Sequence, residues 1–285
     1  VNIITRVPFI FDMRALWPEE LIAAGRLQRG SLMHRAIVLS ERACLARSSG
    51  IISLTYKAVD YLKSIYPKEL KNKRIVVIPT CADLERFTPS PEKRSENIVH
   101  GCIGTLISGW FKMDWLTSWF KVVALCDSRA NFEIITRDEK AKVQEIIDSC
   151  KELEGRITII SSPIDKMPNK IQSFSVSVMF FTEGLSKLGS APTRLAEILG
   201  CGVPVVVNEG VGDVADIVKK NNVGIIVNDN SDVKMKKAYD ELLILMKDPA
   251  LTSRCRSTAE TLFSLKVGTN AYRKIYSAII NNRDL

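Results

Sequence analysis

Residues 189–207 read GSAPTRLAEILGCGVPVVV, a stretch with the makings of an anion site at the start of a helix. Ser190 is placed to cap that helix, and Pro192 suits its first turn, where the amide that proline lacks would have no helical acceptor. The amides of 193–195 are then open to an anion. The Arg194 guanidinium, with Lys187 as a further candidate, adds positive charge beside them, and the Thr193 hydroxyl adds a donor. Glu197 lies about one turn further along, with no acidic neighbour closer than Glu209. A carboxylate there could accept hydrogen bonds from two vicinal hydroxyls of a ribose. It could equally offset the helix dipole with no ligand present, and residue types alone favour that second role.

A second segment with binding chemistry is GTLISGWFK at 104–112. Gly104 and Gly109 would let the backbone come close to a ligand, and nearby amides could receive phosphate oxygens. No Gly-Lys-Ser/Thr follows, so this is not a Walker loop.

These segments need a frame that brings strand ends and helix starts together. Runs at 98–104, 131–136, 156–161, 175–181, 203–207 and 223–227 read as strands, mostly without polar alternation. Helical patterns fill the gaps at 112–126, 138–150, 165–173, 191–201, 213–221 and 233–247. Such strands separated by helices predict a parallel sheet covered on both faces, with ligands at the carboxyl ends of its strands. Upstream, 8–12, 50–54 and 74–78 read as strands, and 31–47 and 55–66 as helices. The Pro- and Ser-rich 89–97 separates the two parts, and the residues after 249 read as two further helices. Three strands make a poor independent unit, so the first part reads as the back half of a Rossmann-like domain.

Composition bounds the function. The 285 residues are 46% apolar and 25% charged, enough for a sizeable core. No apolar run approaches the roughly 18–20 residues of a membrane span, and no secretory signal is visible. Seven cysteines without a C-x-x-C pair read as reduced thiols of a cytoplasmic protein, and with two histidines they offer no zinc site. Residues 1–95 carry 16 Lys and Arg against 9 Asp and Glu, which is nearly all of the net charge of +8. That excess is either a solvated basic surface or a face drawn to anionic lipid or phosphorylated ligands. No aromatic-interleaved basic motif points to nucleic acid.

The segment Pro192 to Val205 resembles the donor-site motif P-[ST]-[KR]-L-x-E-x-x-A-x-G-x-P-V of family 4 glycosyltransferases, which have the GT-B fold of two Rossmann-like domains. Further landmarks follow in the family's order. IPTCADLERFTP at 78–89 is similar to the interdomain segment, and Gly104-Thr105 to the first glycine-rich loop of the donor domain. GVGDVAD at 210–216 resembles a later turn, VGTNAYRKIYSAI at 267–279 the helix that crosses back, and FDMRALWPEE at 11–20 a segment of one branch.

The resemblance implies an α/β chain with three parts. Residues 1–90 would be an incomplete acceptor-side domain, 91–262 the nucleotide-sugar domain, and 263–285 a helix packing back on the first. It implies transfer of a sugar, with retention, from a nucleotide-diphosphate donor to a lipid-linked or polysaccharide acceptor. No metal or other cofactor is implied. By the match, Gly104, Thr105, Lys112 and Arg194 would lie by the donor phosphates, Glu197 by the ribose and Arg137 by phosphate or base. Asp12 and Arg14 would lie near the acceptor. The family's E-x7-E carboxylate is absent, because position 189 is glycine. About 90–120 residues of the first domain are expected upstream of this sequence. The alternative is a non-catalytic donor-binding fragment or subunit that a second chain completes. Peripheral contact with the inner face of the membrane is the location that fits a lipid-linked acceptor.

Overall fold

The structure is a computed structural model that describes residues 7–91, 97–148 and 150–281. The expected seam at 89–97 falls mostly on 92–96, outside the described residues.

The first part holds β1 (Ile10–Met13), α1 (Trp17–Ala23), α2 (Leu32–Arg47), β2 (Gly50–Ser53), α3 (Tyr56–Ile65), the single turn α4 (Pro67–Leu70) and β3 (Ile75–Val77). Its strands form a parallel sheet in the order β1-β2-β3, with Ile10 opposite Gly50 and Ile51 opposite Ile75. Ser31 caps α2 by accepting the His34 amide, and Thr55 caps α3 by accepting the Ala58 amide. Helices α1 and α4 were not legible from periodicity, since seven and four residues are too few to show a repeat.

The second part holds β4 (Val99–Ile103), α5 (Met113–Cys126), β5 (Asn131–Ile135), α6 (Lys140–Asp148), β6 (Ile157–Ile160), α7 (Met167–Gln172), β7 (Val176–Met179), α8 (Thr193–Gly200), β8 (Val205–Asn208), α9 (Val214–Asn221), β9 (Gly224–Val227) and α10 (Asp232–Leu245). These strands form one parallel sheet in the order β6-β5-β4-β7-β8-β9. The winding direction reverses between β4 and β7, which opens a crevice at their carboxyl ends.

Strand β8 shows why the strands do not alternate. Val205 and Val207 face the core shared with α8, whereas Val206 faces the opposite core with Trp119, Phe120 and Tyr239. Both faces are apolar because both are covered, and each buried valine contributes roughly 1.5–3 kcal/mol. The strand begins at Val205 rather than at 203, after Pro204, whose carbonyl accepts the Ser177 amide at 2.9 Å.

Two helices close the chain, α11 (Leu251–Phe263) and α12 (Leu265–Asn281). Helix α12 leaves the larger unit and lies on the small sheet, where Ile275 joins Ile52 and Ile78. Gly50 admits it, since a Cβ there would stand 3.0 Å from both Ile275 Cδ1 and Ile279 Cδ1. Residues 82–87, grouped with the first domain by sequence, pack in the larger core through Leu84 and Phe87. Arg256 of α11 clamps them there by donating to Leu84 O at 3.0 Å, Phe87 O at 2.6 Å and Gly200 O at 3.1 Å.

Candidate functional site

At the carboxyl ends of β4, β5 and β6 lies a cavity of about 300 Å³. Strand β4 delivers Ile103, Gly104 and Thr105, and β5 delivers Ile135, Thr136 and Arg137. Ser162 and Ile164 follow β6, α8 contributes Arg194 and Glu197, and the connecting segment contributes Arg86 and Phe87. Five residues singled out in the sequence, Gly104, Thr105, Arg137, Arg194 and Glu197, therefore meet in one cavity. Among its lining residues are three guanidinium groups and a single carboxylate, so the cavity attracts anions.

Arg194 and Glu197 share a face of α8 and form an ion pair there. The Glu197 side chain is 14% exposed and Arg194 36%. The pair holds both groups against the cavity wall, with the carboxylate inward and the guanidinium nearer solvent. Helix α8 starts later than its sequence suggested. Pro192, extended at φ −63° and ψ 119°, stands at the cap position, and no side chain caps the helix. Ser190 thus does not cap it, because two residues separate it from Thr193. Ser190 instead lines a second cavity of about 610 Å³ between the two sheets. Thr193 is exposed and outside the lining of the first cavity.

The loop after β4 is held at both ends. Gly104 is required where it stands, since a Cβ there would meet the Phe111 ring at 2.5 Å. Phe111 forms an antiparallel bridge with Phe181, and the Thr182 amide donates to Trp110 O at 2.9 Å. Lys112 pairs with Glu183, its Nζ 3.8 Å from the Trp115 ring centroid, and is not among the lining residues. At the other end, Asp138 accepts the amides of Leu106 at 2.5 Å and Ile107 at 3.2 Å. Those two amides, expected to be open to phosphate, are thus taken by an internal carboxylate. Lys187 is directed elsewhere too. Its Nζ lies 2.8 Å from the Trp110 ring centroid, and burial lowers its pKa.

Asp12 and Arg14 are not lining residues of this cavity. They form an ion pair at 3.2 Å, and Tyr272 of α12 joins both, accepting from Arg14 and donating to Asp12 at 2.8 Å each. Position 189 also has a physical account. A Cβ on Gly189 would stand 3.0 Å from the Leu16 amide, so the backbone between β1 and α1 crowds the space a side chain would enter.

Arg86 and Asp138 are the site residues that sequence reasoning missed. Arg86 sits in the recognised interdomain segment, donates to Ile164 O at 3.2 Å and faces the cavity. Asp138 follows Arg137 directly, but nothing local announces a partner 32 positions away. Among the described residues no cluster of three or more His, Cys, Asp or Glu could hold a metal ion. No helix among the described residues is long and apolar enough to cross a membrane.

Solved structures share this architecture. A glycosyltransferase from Rickettsia africae ESF-5 matches with a TM-score of 0.73 and 14% identity, over 99% of this chain and 73% of that one. WaaG, a glycosyltransferase involved in lipopolysaccharide biosynthesis, matches with a TM-score of 0.68 and 16% identity, over 92% and 73%. HepE from Anabaena, in complex with UDP and glucose, matches with a TM-score of 0.64 and 15% identity, over 98% and 73%. At these identities the likeness establishes the fold, that of GT-B glycosyltransferases. No curated protein sequence matches significantly. The profile of the family described as Glycosyl transferases group 1 matches residues 97–244, more than half of the chain, and the chain belongs to that family.

Proposed function

We propose that this chain is a retaining glycosyltransferase of family 4. It moves a sugar from a nucleotide-diphosphate donor to a hydroxyl of a lipid-linked or glycan acceptor, and the 300 Å³ cavity seats the donor's nucleotide and diphosphate. The observation that carries this reading is the convergence of Arg86, Arg137 and Arg194 with Glu197 beside the Gly104-Thr105 loop. The sugar C1–O bond breaks toward the diphosphate, the acceptor oxygen bonds to C1, and the hydroxyl proton leaves with the products. Guanidinium groups stabilise the charge that builds on the departing diphosphate, each bond to a charged oxygen contributing about 1.5–3 kcal/mol. On this reading no metal is needed, so EDTA treatment leaves nucleotide affinity unchanged. A solved neighbour holds UDP and glucose, which makes UDP-sugars the first donors to test.

Glu197 has the geometry to accept the ribose hydroxyls, with Arg194 holding its carboxylate in place. Calorimetry with UDP, GDP, ADP and TDP tests this. Glu197→Gln should weaken the tightest of them about tenfold, in keeping with loss of a charged acceptor. Unchanged affinity for all four removes the ribose role.

The basic excess of residues 1–95 supports contact with an anionic bilayer at the cytoplasmic face. Flotation with anionic but not neutral vesicles is the expected result. A second reading, a donor-binding subunit without transfer activity that a second chain completes, is favoured by Gly189, where the carboxylate of the E-x7-E motif is absent and a Cβ would stand only 3.0 Å from the Leu16 amide. Tight nucleotide binding without donor turnover until a second chain is added would select it.

A further inference from the structure

The Asp138 carboxylate has no part in the family resemblance, yet it gathers the polar groups around the donor cavity. Its Oδ2 accepts three hydrogen bonds: the Leu106 amide at 2.5 Å, the Ile107 amide at 3.2 Å and the Thr136 hydroxyl at 2.8 Å. The Asp138 amide donates back to Thr136 Oγ1 at 3.0 Å, which closes a small ring. Thr136 is 5% exposed, so this ring is rooted in the end of β5. The loop after β4 is thereby tied to the loop after β5, and the ties fall next to Thr105 on one side and Arg137 on the other.

From this geometry we infer that Asp138 is a positioning residue for the donor diphosphate. It holds Gly104-Thr105 and Arg137 at one fixed separation across the cavity, and it does so without touching the ligand itself. The inference rests on the reading of this cavity as the donor seat. Pre-shaping matters because a seat displaced by about 1 Å can cost as much as 100-fold in the function it supports. Two consecutive amides and a hydroxyl on one charged oxygen are a strong tie, since charge-assisted bonds are roughly twice as strong as neutral ones. The far end of the loop is fixed independently by the Phe111–Phe181 bridge, so loss of Asp138 frees only the half that borders the cavity.

The experiment uses inorganic pyrophosphate and uridine as separate calorimetric probes, with the UDP affinity alongside. Asp138→Asn keeps the volume and one neutral acceptor, and Asp138→Ala removes both. Pyrophosphate and UDP affinities should fall by about threefold in the first and tenfold or more in the second, while uridine affinity stays as in the wild type. Thr136→Val leaves the carboxylate in place but removes its hydroxyl donor, and it serves if the Asp138 variants fold poorly. It should reproduce about a threefold loss confined to pyrophosphate and UDP.

Amide exchange at Leu106 and Ile107 should speed up in step with the loss. A merely structural Asp138 would lower the unfolding temperature and leave pyrophosphate affinity unchanged, and that result overturns the assignment. Tighter pyrophosphate binding by Asp138→Asn overturns it as well, since it would make the carboxylate a competitor of phosphate. Failure of the wild type to bind pyrophosphate or any nucleoside diphosphate would instead bring down the donor-seat reading.

Discussion

The carboxylate of Asp213 sits on the first two amides of α3, accepting from Tyr56 at 2.7 Å and Lys57 at 3.0 Å across a separation of 157 residues. Helix α3 is therefore capped from two sources. Thr55 takes the third amide locally, and the larger unit supplies the acceptor for the first two. The same seam is stitched by Thr55 Oγ1 donating to Leu188 O and Thr80 Oγ1 donating to Ala191 O, both at 2.5 Å. Lys57 adds an ion pair to Asp216 at 2.9 Å.

Removing that cap has a pH signature. Asp213→Ala should destabilise the chain by about 1 kcal/mol, the usual value for a lost N-terminal cap. Burial raises the Asp213 pKa above its ordinary value, against the two amide bonds that lower it. A raised folded-state pKa contributes stability that is present in acid and lost as pH rises through it. The gap between wild type and variant should thus widen as pH falls from neutral toward 4, read by urea denaturation at several pH values. A gap that narrows on acidification contradicts this.

Gly212 is a second fixed point of the seam. Its φ is +43°, and a Cβ would stand 2.2 Å from the Ser190 carbonyl oxygen and 2.7 Å from Thr55 Cγ2. Gly212→Ala should cost about 3 kcal/mol or more, because left-handed backbone alone costs 1–2 kcal/mol and a backbone oxygen cannot step aside. Gly109→Ala provides the comparison, since φ is +75° there and nothing lies within 4 Å. Equal losses in the two variants would show that the clash contributes nothing.

His100 should dominate the acid limb of stability. It is wholly buried among Trp119, Phe132 and Tyr239, accepts the Trp119 Nε1–H at 3.3 Å, and burial lowers its pKa from 6.5 to about 3. A depressed pKa contributes stability that is present above 6.5 and is lost as pH falls toward 3, on the order of 5 kcal/mol in all. His100→Phe should flatten that limb in denaturation experiments between pH 6.5 and 4. A variant with the wild-type slope would assign the acid sensitivity to other groups.

Helix α12 is tied to the small sheet by two unequal means. The Arg14–Tyr272–Asp12 chain is exposed to solvent, so Tyr272→Phe should cost less than about 1 kcal/mol. Ile275 is 2% exposed against Ile52 and Ile78, so Ile275→Ala should cost about 2–5 kcal/mol and speed proteolysis of the C-terminal helix. Similar losses in both variants would mean that the polar chain holds the helix.

Most of the frame was legible in the residues. Unalternated Val and Ile runs marked the strands of the covered sheet, whereas Gly104, read as a close approach to a ligand, stands against the Phe111 ring of its own loop. Arg194 and Glu197 stood out because ligands gather at the carboxyl ends of parallel strands, whereas Arg137 came only from the family resemblance. Short elements escaped because α1 and α4 hold too few residues for a period to show. Ser190 misled because a serine two residues ahead of Pro192 reads as a cap, whereas the backbone stays extended through Pro192 and turns helical only at Thr193.

The sequence alone determined which faces are apolar, and therefore the order of strands and helices, since a sheet covered on both faces needs strands that are mostly apolar without alternation. It also determined which cations and carboxylates were available near the strand ends. The tertiary structure decided their partners: Glu197 with Arg194, Lys112 with Glu183, Asp138 with the loop after β4, and Asp213 with a helix of the other unit. Periodicity reports whether a side chain is buried, but a charged group's partner is set by distance in space. Three of these four pairs join residues that lie far apart along the chain.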